Sequence, residues 1–282
     1  MIENTKVPGR VAAFLATTVL LACTGITGPP LSSGVQIEVQ VSGGIAGVVY
    51  SFEVSGRDRV VRGLTCENGC DFQAGEVLLP LSVTQIQDLA EDMEATGILG
   101  LDGTDFGAPC CDDFEFVVTY DNGSDAATIR GSSQALPPDL QAAVQVLLGM
   151  ANGTVPVVVD LQGSLTNLPR DGVSLGPVTI SGDVLEAELS FGGGCASHEI
   201  DLVAFNGWLE SFPIQVSLFF SHEDNDDPCD AFLTQMRTFD LRRLANEYNR
   251  TYSVAGPGLT TLILRIEDVN EPGGFRAVNY VF

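Results

Sequence analysis

The residues of this sequence best suited to chemistry are two cysteines and two histidines in its C-terminal half. Cys195 precedes His198 and His222 precedes Cys229, in the spacing C-x2-H…H-x6-C. Each histidine shares the alternation of the apolar positions on its predicted strand, so both imidazoles should point into the apolar layer. If the two strands are antiparallel neighbours, these four residues, the Cys/His cluster, gather at one end of the sheet.

Two arrangements fit such a gathering. One is a Cys195–Cys229 disulfide, with the histidines packed beside it and hydrogen-bonded to the backbone, to Asp226 or to Asp227. The other is a tetrahedral zinc site on all four residues of the cluster, because zinc prefers thiolate and imidazole ligands. A disulfide with a metal on the histidines and an aspartate would be a hybrid. The spacing is not that of a familiar zinc finger, so the disulfide is favoured and zinc stays the alternative cofactor.

Other chemical signals in the sequence are weaker. The acidic run Glu223 to Asp227 invites a calcium interpretation, but it lacks the alternating ligands and the glycine of a calcium loop, which favours a solvated turn. Trp208 is predicted to lie in the loop opposite the cysteine end, as an anchor for a partner or as a core residue. The sequence has no nucleophile elbow, H-E-x-x-H, phosphate-binding glycine loop or dinucleotide fingerprint. We therefore expect no enzyme activity.

The N-terminal residues have the order of a secretory signal. Lys6 and Arg10 supply positive charge before the apolar run Val11 to Leu21. That run is about half of the ~20 residues that a membrane-spanning helix needs. The following Leu-Leu-Ala-Cys sequence, which ends at Cys23, resembles the lipobox of bacterial lipoproteins.

This resemblance implies a signal peptide of residues 1–22 and lipid attached to Cys23. Two or three acyl chains hold a protein stably on a bilayer. The chain is then expected in the cell envelope, and Thr24 after the cysteine, in place of an aspartate, favours the outer membrane. Residues 23–34, rich in Gly, Pro and Ser, read as the lipidated cysteine and a flexible tether.

Composition limits the partners of the anchored part. The net charge is −24, with 37 acidic residues against 13 lysines and arginines. Such a surface repels nucleic acid and anionic head groups, and it suits solubility or a cationic partner. With 45% hydrophobic and 18% charged residues, the chain can bury a sizeable core.

Six cysteines remain beyond Cys23, and an even set in an exported protein indicates disulfides. Pairing within each half of the chain is the simplest solution. The candidates are Cys66, Cys70, Cys110, Cys111, Cys195 and Cys229.

Hydrophobic periodicity predicts two domains with a boundary near residues 151–156. Residues 35–153 form an α+β domain of order ββαββα, and residues 154–282 form an all-β antiparallel sandwich. The first domain has helices at Val83 to Ala95, capped by Ser82, and from Pro138. Alternating strands of the second are predicted at residues 185–191, 200–204, 214–220, 262–266 and 278–282, with a short helix at Leu241 to Tyr248 capped by Asp240.

Three short motifs mark residues 36–151. They are Ser42-Gly43-Gly44-Ile45-Ala46-Gly47 between the first two strands, Asp113-Phe114-Glu115-Phe116, and Leu136-Pro137 before the second helix. Together they resemble the emfourin family, small bacterial inhibitors of thermolysin-like metallopeptidases such as protealysin. The resemblance implies the family's fold and a metallopeptidase partner.

The chain departs from that family by an insert, Arg57 to Ala74, which carries Cys66 and Cys70. Cys110 and Cys111 precede the third strand and are likewise additional. Two bridges between these loops would staple the inserts together, at ~2–4 kcal/mol each. A local Cys66–Cys70 bridge is the competing pairing.

Three functional hypotheses follow. The leading one is a membrane-anchored, non-enzymatic binding lipoprotein that inhibits a thermolysin-like metallopeptidase. The second is a lipoprotein that binds or senses metal through the Cys/His cluster. The third is a purely structural lipoprotein of the cell envelope.

Overall fold

The computed structural model describes residues 31–108, 112–163, 165, 167–253 and 260–282. Strands dominate these ranges, and the helices are α1 (Val83–Ala95), α2 (Pro138–Ala151) and α3 (Arg242–Tyr252), with 3-10 turns at Leu31–Gly34 and Ile98–Leu101. The strands are β1 (Gln36–Gly43), β2 (Val48–Ser55), β3 (Val60–Asn68), β4 (Val77–Pro80), β5 (Phe114–Asp121), β6 (Ala126–Ser132), β7 (Val155–Pro156), β8 (Val158–Asp160), β9 (Val173–Ser181), β10 (Val184–Gly193), β11 (Glu199–Leu209), β12 (Ile214–Glu223), β13 (Ala231–Asp240), β14 (Thr261–Glu267) and β15 (Phe275–Val281). Within the described ranges, every helix is too short or too polar to cross a bilayer.

The first sheet has the order β4-β3-β2-β1-β5-β6, and all its pairs are antiparallel. Its central strand β1 alternates as predicted, with Ile37, Val39 and Val41 buried. These residues join one core with Ile86 and Leu89 of α1. The alternation buries one face of the strand under the helices.

The order ββαββα is wrong in one respect, because four strands precede α1. The insert predicted from Arg57 to Ala74 contains β3, which continues the sheet, and β4 follows it. Val61 of β3 is fully buried, which gives the added strand its place in the core. The insert therefore widens the sheet instead of forming a loop.

Both helix starts predicted in the first half are confirmed. The Ser82 hydroxyl accepts the Gln85 N–H at 3.0 Å, and the Gln85 side-chain oxygen accepts the Ser82 N–H at 3.0 Å. This reciprocal capping box satisfies two N–H groups that a helix end would leave free. Pro138 opens α2, where its missing N–H costs nothing.

The second half contains a four-stranded sheet, β7-β13-β10-β9, and a five-stranded sheet, β15-β14-β12-β11-β8. A largely β chain with antiparallel sheets is confirmed. Three pairs are nevertheless parallel: β8 with β11, β12 with β14, and β7 with β13. Parallel pairing depends on the connections between strands, such as the one from β12 to β14 that includes α3. Alternation along a single strand does not reveal it.

The helix α3 begins and ends later than predicted. Its N-cap is Leu241, without a side-chain cap, and the predicted cap Asp240 instead accepts the Arg242 N–H at 2.9 Å. The helix extends to Tyr252.

Polar contacts join the two halves. The Ser82 hydroxyl donates to the Asp201 carboxylate at 2.7 Å, and Arg59 pairs with Glu199 at 2.7 Å. Buried side chains from both halves also form one hydrophobic cluster. The division into domains at residues 153 and 154 stays a prediction, as do the lipid site at Cys23 and the roles of Cys110 and Cys111, which lie outside the described residues.

Candidate functional site

The structure brings the Cys/His cluster together. β11 and β12 are antiparallel neighbours, and Ile200 at the start of one lies opposite His222 at the end of the other. The sulfurs of Cys195 and Cys229 are joined in a disulfide whose Cα atoms are 5.7 Å apart. The His198 Nδ1 and His222 Nε2 atoms lie 2.8 Å apart.

Asp227 organises the loop around this disulfide. One carboxylate oxygen accepts the N–H groups of Gly194, Cys195 and Ala196 at 2.7, 2.9 and 2.8 Å. The same oxygen lies 3.1 Å from His198 Nε2, while the other oxygen accepts the Cys229 N–H at 2.9 Å. A single carboxylate therefore ties together both chain segments that carry the cysteines.

These contacts fix the charge of the site. The N–H of Ala196, opposed in part by burial and assisted by those of Cys229 and Cys195, holds the pKa of Asp227 well below its usual range. Burial lowers the pKa of His222; the Asp171 backbone opposes this shift and His198 adds to it. At pH 7 Asp227 is therefore ionised, and burial favours the neutral form of His222.

The hydrogen bonds also place one ring proton. An ionised Asp227 can only accept, so His198 Nε2 donates to it, while His198 Nδ1 and His222 Nε2 share a second hydrogen bond. The two nitrogens of a tetrahedral zinc site would lie about 3.3 Å apart with the metal between them. Here they share a hydrogen bond, and the two sulfurs share a disulfide. The cluster as folded is a cross-link between the β10–β11 and β12–β13 connections, and the zinc arrangement requires a reduced, rearranged site.

The acidic run Glu223 to Asp227 forms a tight turn, with Asn225 and Asp226 in the left-handed conformation. Carboxylate oxygens of Glu223 and Asp224 come within 4.8 Å of that of Asp171, while Asp227 turns to the disulfide. The carboxylates of this run therefore face two different places and do not surround one common ion site.

Trp208 lies on β11 and not in a loop, after a register shift between Phe205 and Trp208. Its half-buried indole meets Tyr248 of α3 edge-on at 5.4 Å, and its N–H donates to Thr251 at 3.3 Å. These contacts give Trp208 a packing role against α3.

The Ser42 to Gly47 motif forms the tip of the β1–β2 hairpin. Gly43, Gly44 and Gly47 have positive φ, and a Cβ on Gly43 would lie 2.7 Å from the Asp113 carbonyl. Gly44 N–H donates to that carbonyl at 3.1 Å. The tip is thus tied to the segment before β5, and it presents Ile45 with 84% of its surface exposed.

Asn68 braces the other side of this tip, although no sequence motif points to it. Its side-chain amide donates to the carbonyls of Ala46 and Gly47 at 2.6 and 3.1 Å. Asn68 lies inside the short loop that the Cys66–Cys70 disulfide closes. The local bridge therefore forms, and the prediction of two bridges from Cys66 and Cys70 to the loop of Cys110 and Cys111 is wrong. The expectation of disulfide bonds is confirmed at both described pairs.

A second feature without a sequence signal is a cavity of about 640 Å³ between α1, α2 and α3. Arg243, which is 6% exposed, forms its floor together with Asp88 and Asp92 of α1. The rim adds the acidic residues Glu91, Asp139, Asp160 and Glu247, and Arg250 pairs with Glu247 there. Because α1 and α2 belong to the first half and α3 to the second, the cavity is part of the junction between the halves.

No protein-family profile matches this sequence, and no curated protein matches it significantly. Among solved structures, a NigD-like immunity protein from Bacteroides caccae is 15% identical, with 87% of this chain and 90% of that chain covered at a TM-score of 0.31. A Bacteroides fragilis protein described as a lipoprotein is 9% identical, with 62% and 83% covered at 0.30. A protein of unknown function from Bacteroides vulgatus is 10% identical, with 88% and 90% covered at 0.32. Overlaps this low establish neither a shared fold nor a shared activity.

Proposed function

We propose that this chain is a lipid-anchored, non-enzymatic binding protein of the cell envelope that contacts a protein partner through the β1–β2 hairpin tip. The lipobox-like sequence ending at Cys23 supports the anchor, and Thr24 supports the outer membrane. In the specific form of the proposal, the partner is a thermolysin-like metallopeptidase and the contact inhibits it.

The observation that carries this proposal is the braced tip with its exposed isoleucine. Hydrogen bonds from Asn68 on one side and to Asp113 on the other hold the loop in one shape. A loop ordered before binding loses little conformational entropy when a partner closes on it. In this proposal the isoleucine at the tip, which is 84% exposed, enters an apolar pocket of the partner.

The Cys66–Cys70 bridge fits this role. It closes a loop of sequence separation 4 and holds Asn68 against the tip. The insert that distinguishes this chain from the emfourin pattern therefore supports the hairpin that carries the resemblance. We therefore expect the insert to strengthen binding of the partner to the hairpin tip.

Inhibition of several thermolysin-like proteases by residues 24–282 tests the proposal. We expect Ile45→Asp to raise the inhibition constant about thirty-fold or more, because loss of a central apolar anchor typically costs ~2 kcal/mol or more. Val269→Asp is the matched control, since Val269 is 85% exposed in another loop. It should inhibit like the unmodified chain.

Two outcomes contradict the proposal at different levels. Absence of inhibition at micromolar concentration across several such proteases removes the metallopeptidase as the partner. Equal weakening by Ile45→Asp and Val269→Asp removes the hairpin tip as the contact.

A further inference from the structure

The strand β13 has a free edge along most of its length. β10 pairs with all of it, from Ala231 to Asp240, but on the other side β7 pairs only with Phe239 and Asp240. Among the described residues, the backbone groups of 231–238 on that side have no strand partner. Such a row of backbone donors and acceptors is a template for another strand.

Natural edges carry outward or inward charges, prolines or bulges that block pairing. From Phe232 to Thr238 the outer face of β13 carries no charge, and the one charged side chain of that segment, Arg237, lies on the inner face. On the outer face of β13, Phe232 is 76% exposed and Met236 is 58% exposed, with Thr234 between them. Two large apolar side chains therefore stand on the solvent face of an unpaired strand, which an edge exposed only to water disfavours.

The inner face mixes apolar residues, such as Leu233 and Phe239, with the polar Gln235 and Arg237, and Arg237 lies opposite Ala187 of β10. Arg237 is partly buried, and its Nε has no hydrogen-bond partner. In the described part of the chain, Arg237 and the exposed Arg57 are the arginines with no carboxylate, carbonyl or ring contact. A partly buried guanidinium without a carboxylate is costly, and in a chain with 37 acidic residues it is unexpected.

We propose that a β-strand of a partner protein adds to the free edge of β13 and places a carboxylate side chain against Arg237. Because side chains alternate along a strand, the two neighbours of this carboxylate residue would point to the outer face, against Phe232 and Met236. Backbone pairing supplies the affinity in this mode of recognition, and the side-chain sites supply the specificity. This surface is separate from the hairpin tip.

A second copy of this chain is a poorer occupant than a different protein. In an antiparallel twofold pair the segment 231–238 would face itself, and this segment contains no aspartate or glutamate. The second copy would also bring its own net charge of −24. The guanidinium of Arg237 requires a carboxylate from elsewhere.

A labelled peptide tests the proposal on the full chain. The probe has about nine residues that alternate threonine and valine, with glutamate at the centre, and its matched peptide has glutamine there. We expect fluorescence anisotropy to show that the glutamate peptide binds about ten-fold or more tightly than the glutamine peptide. Arg237→Gln should remove that preference, and Met236→Lys should weaken binding of both peptides.

Val281→Lys is the matched control, because Val281 is 45% exposed on the edge strand β15. It should leave both affinities unchanged. Failure of both peptides to bind, or an equal preference for glutamate in Arg237→Gln, overturns the proposal. Sedimentation as a dimer that Met236→Lys dissociates also overturns it, in favour of pairing between copies. Met236 is exposed, so its variant keeps the test valid even if Arg237→Gln does not fold.

Discussion

Asp227 shows how one residue decides the chemistry of a site. Its carboxylate accepts four backbone N–H groups and contacts His198. The histidine that could have bound a metal is instead held as a donor. The site is rigid because the same acid group holds both segments that the disulfide joins.

Asp201 is a second residue whose environment sets its charge. Burial raises its pKa to about 7, against an opposing hydrogen bond from Ser82 and with a small contribution from Glu199. Between about pH 4 and 7 the folded state binds a proton that the unfolded state has released. The group therefore lowers stability as the pH rises through this window, and its effect is constant above it.

Asp201→Asn keeps the acceptor for Ser82 and cannot ionise. We expect its unfolding free energy, relative to the unmodified chain, to rise between pH 4 and 7 by at most about 1.4 kcal/mol per pH unit and then to level off. Urea unfolding at a series of pH values measures this difference. Asp230→Asn, at an exposed position, is the control and should give a flat difference. A flat difference for Asp201→Asn would mean that Asp201 is ionised throughout.

Among the elements, the two disulfide loops differ in the chain entropy that they remove. The Cys195–Cys229 bridge spans a separation of 34 residues, and Cys66–Cys70 spans 4. The loop-closure relation gives about 4 kcal/mol for the longer loop and about 2 kcal/mol for the shorter one. The longer bridge should dominate the stability, while the shorter one positions Asn68.

Replacing both cysteines of each pair by serine tests this difference. We expect the Cys195/Cys229 variant to lose about twice as much unfolding free energy as the Cys66/Cys70 variant, measured by denaturant titration. Each double variant is the control for the other. Equal losses would indicate that packing around the bridges, and not loop length, determines their contribution.

At the scale of the whole molecule, Arg243 of α3 joins the two halves. Its side chain pairs with the carboxylates of Asp88 and Asp92, and it donates to the Asp88 carbonyl at 3.2 Å. Removing one partner from a buried ion pair leaves an uncompensated charge. The stability of each half therefore depends on the presence of the other half.

We expect Arg243→Met to lower the unfolding free energy by about 3–5 kcal/mol. Arg250→Met, which removes an exposed pair with Glu247 on the same helix, should lower it by about 1 kcal/mol or less. Chemical denaturation of both variants measures the contrast. Similar small losses in both would show that water screens the Arg243 cluster.

Local pattern in the sequence was sufficient for several elements. The 3.6-residue period and the Ser82 cap predict α1 with its observed bounds, and strict alternation predicts β1 and β10. Parity along β11 and β12 predicts that His198 and His222 meet. These features depend on residues close in sequence or on a simple antiparallel pairing, so periodicity carries the information.

Tertiary structure alone decided the features that join elements distant in the sequence. β13 escapes prediction because its outer face carries Phe232 and Met236 while Arg237 points inward, which cancels the expected alternation. The Asn68 brace and the parallel strand pairs depend on how separate elements are placed. Ser82 and Asp201 are 119 residues apart, and Arg243 and Asp88 are 155 apart. The sequence by itself determined which faces are apolar; only the folded chain decided which buried charges meet, because those contacts join residues that no local pattern relates.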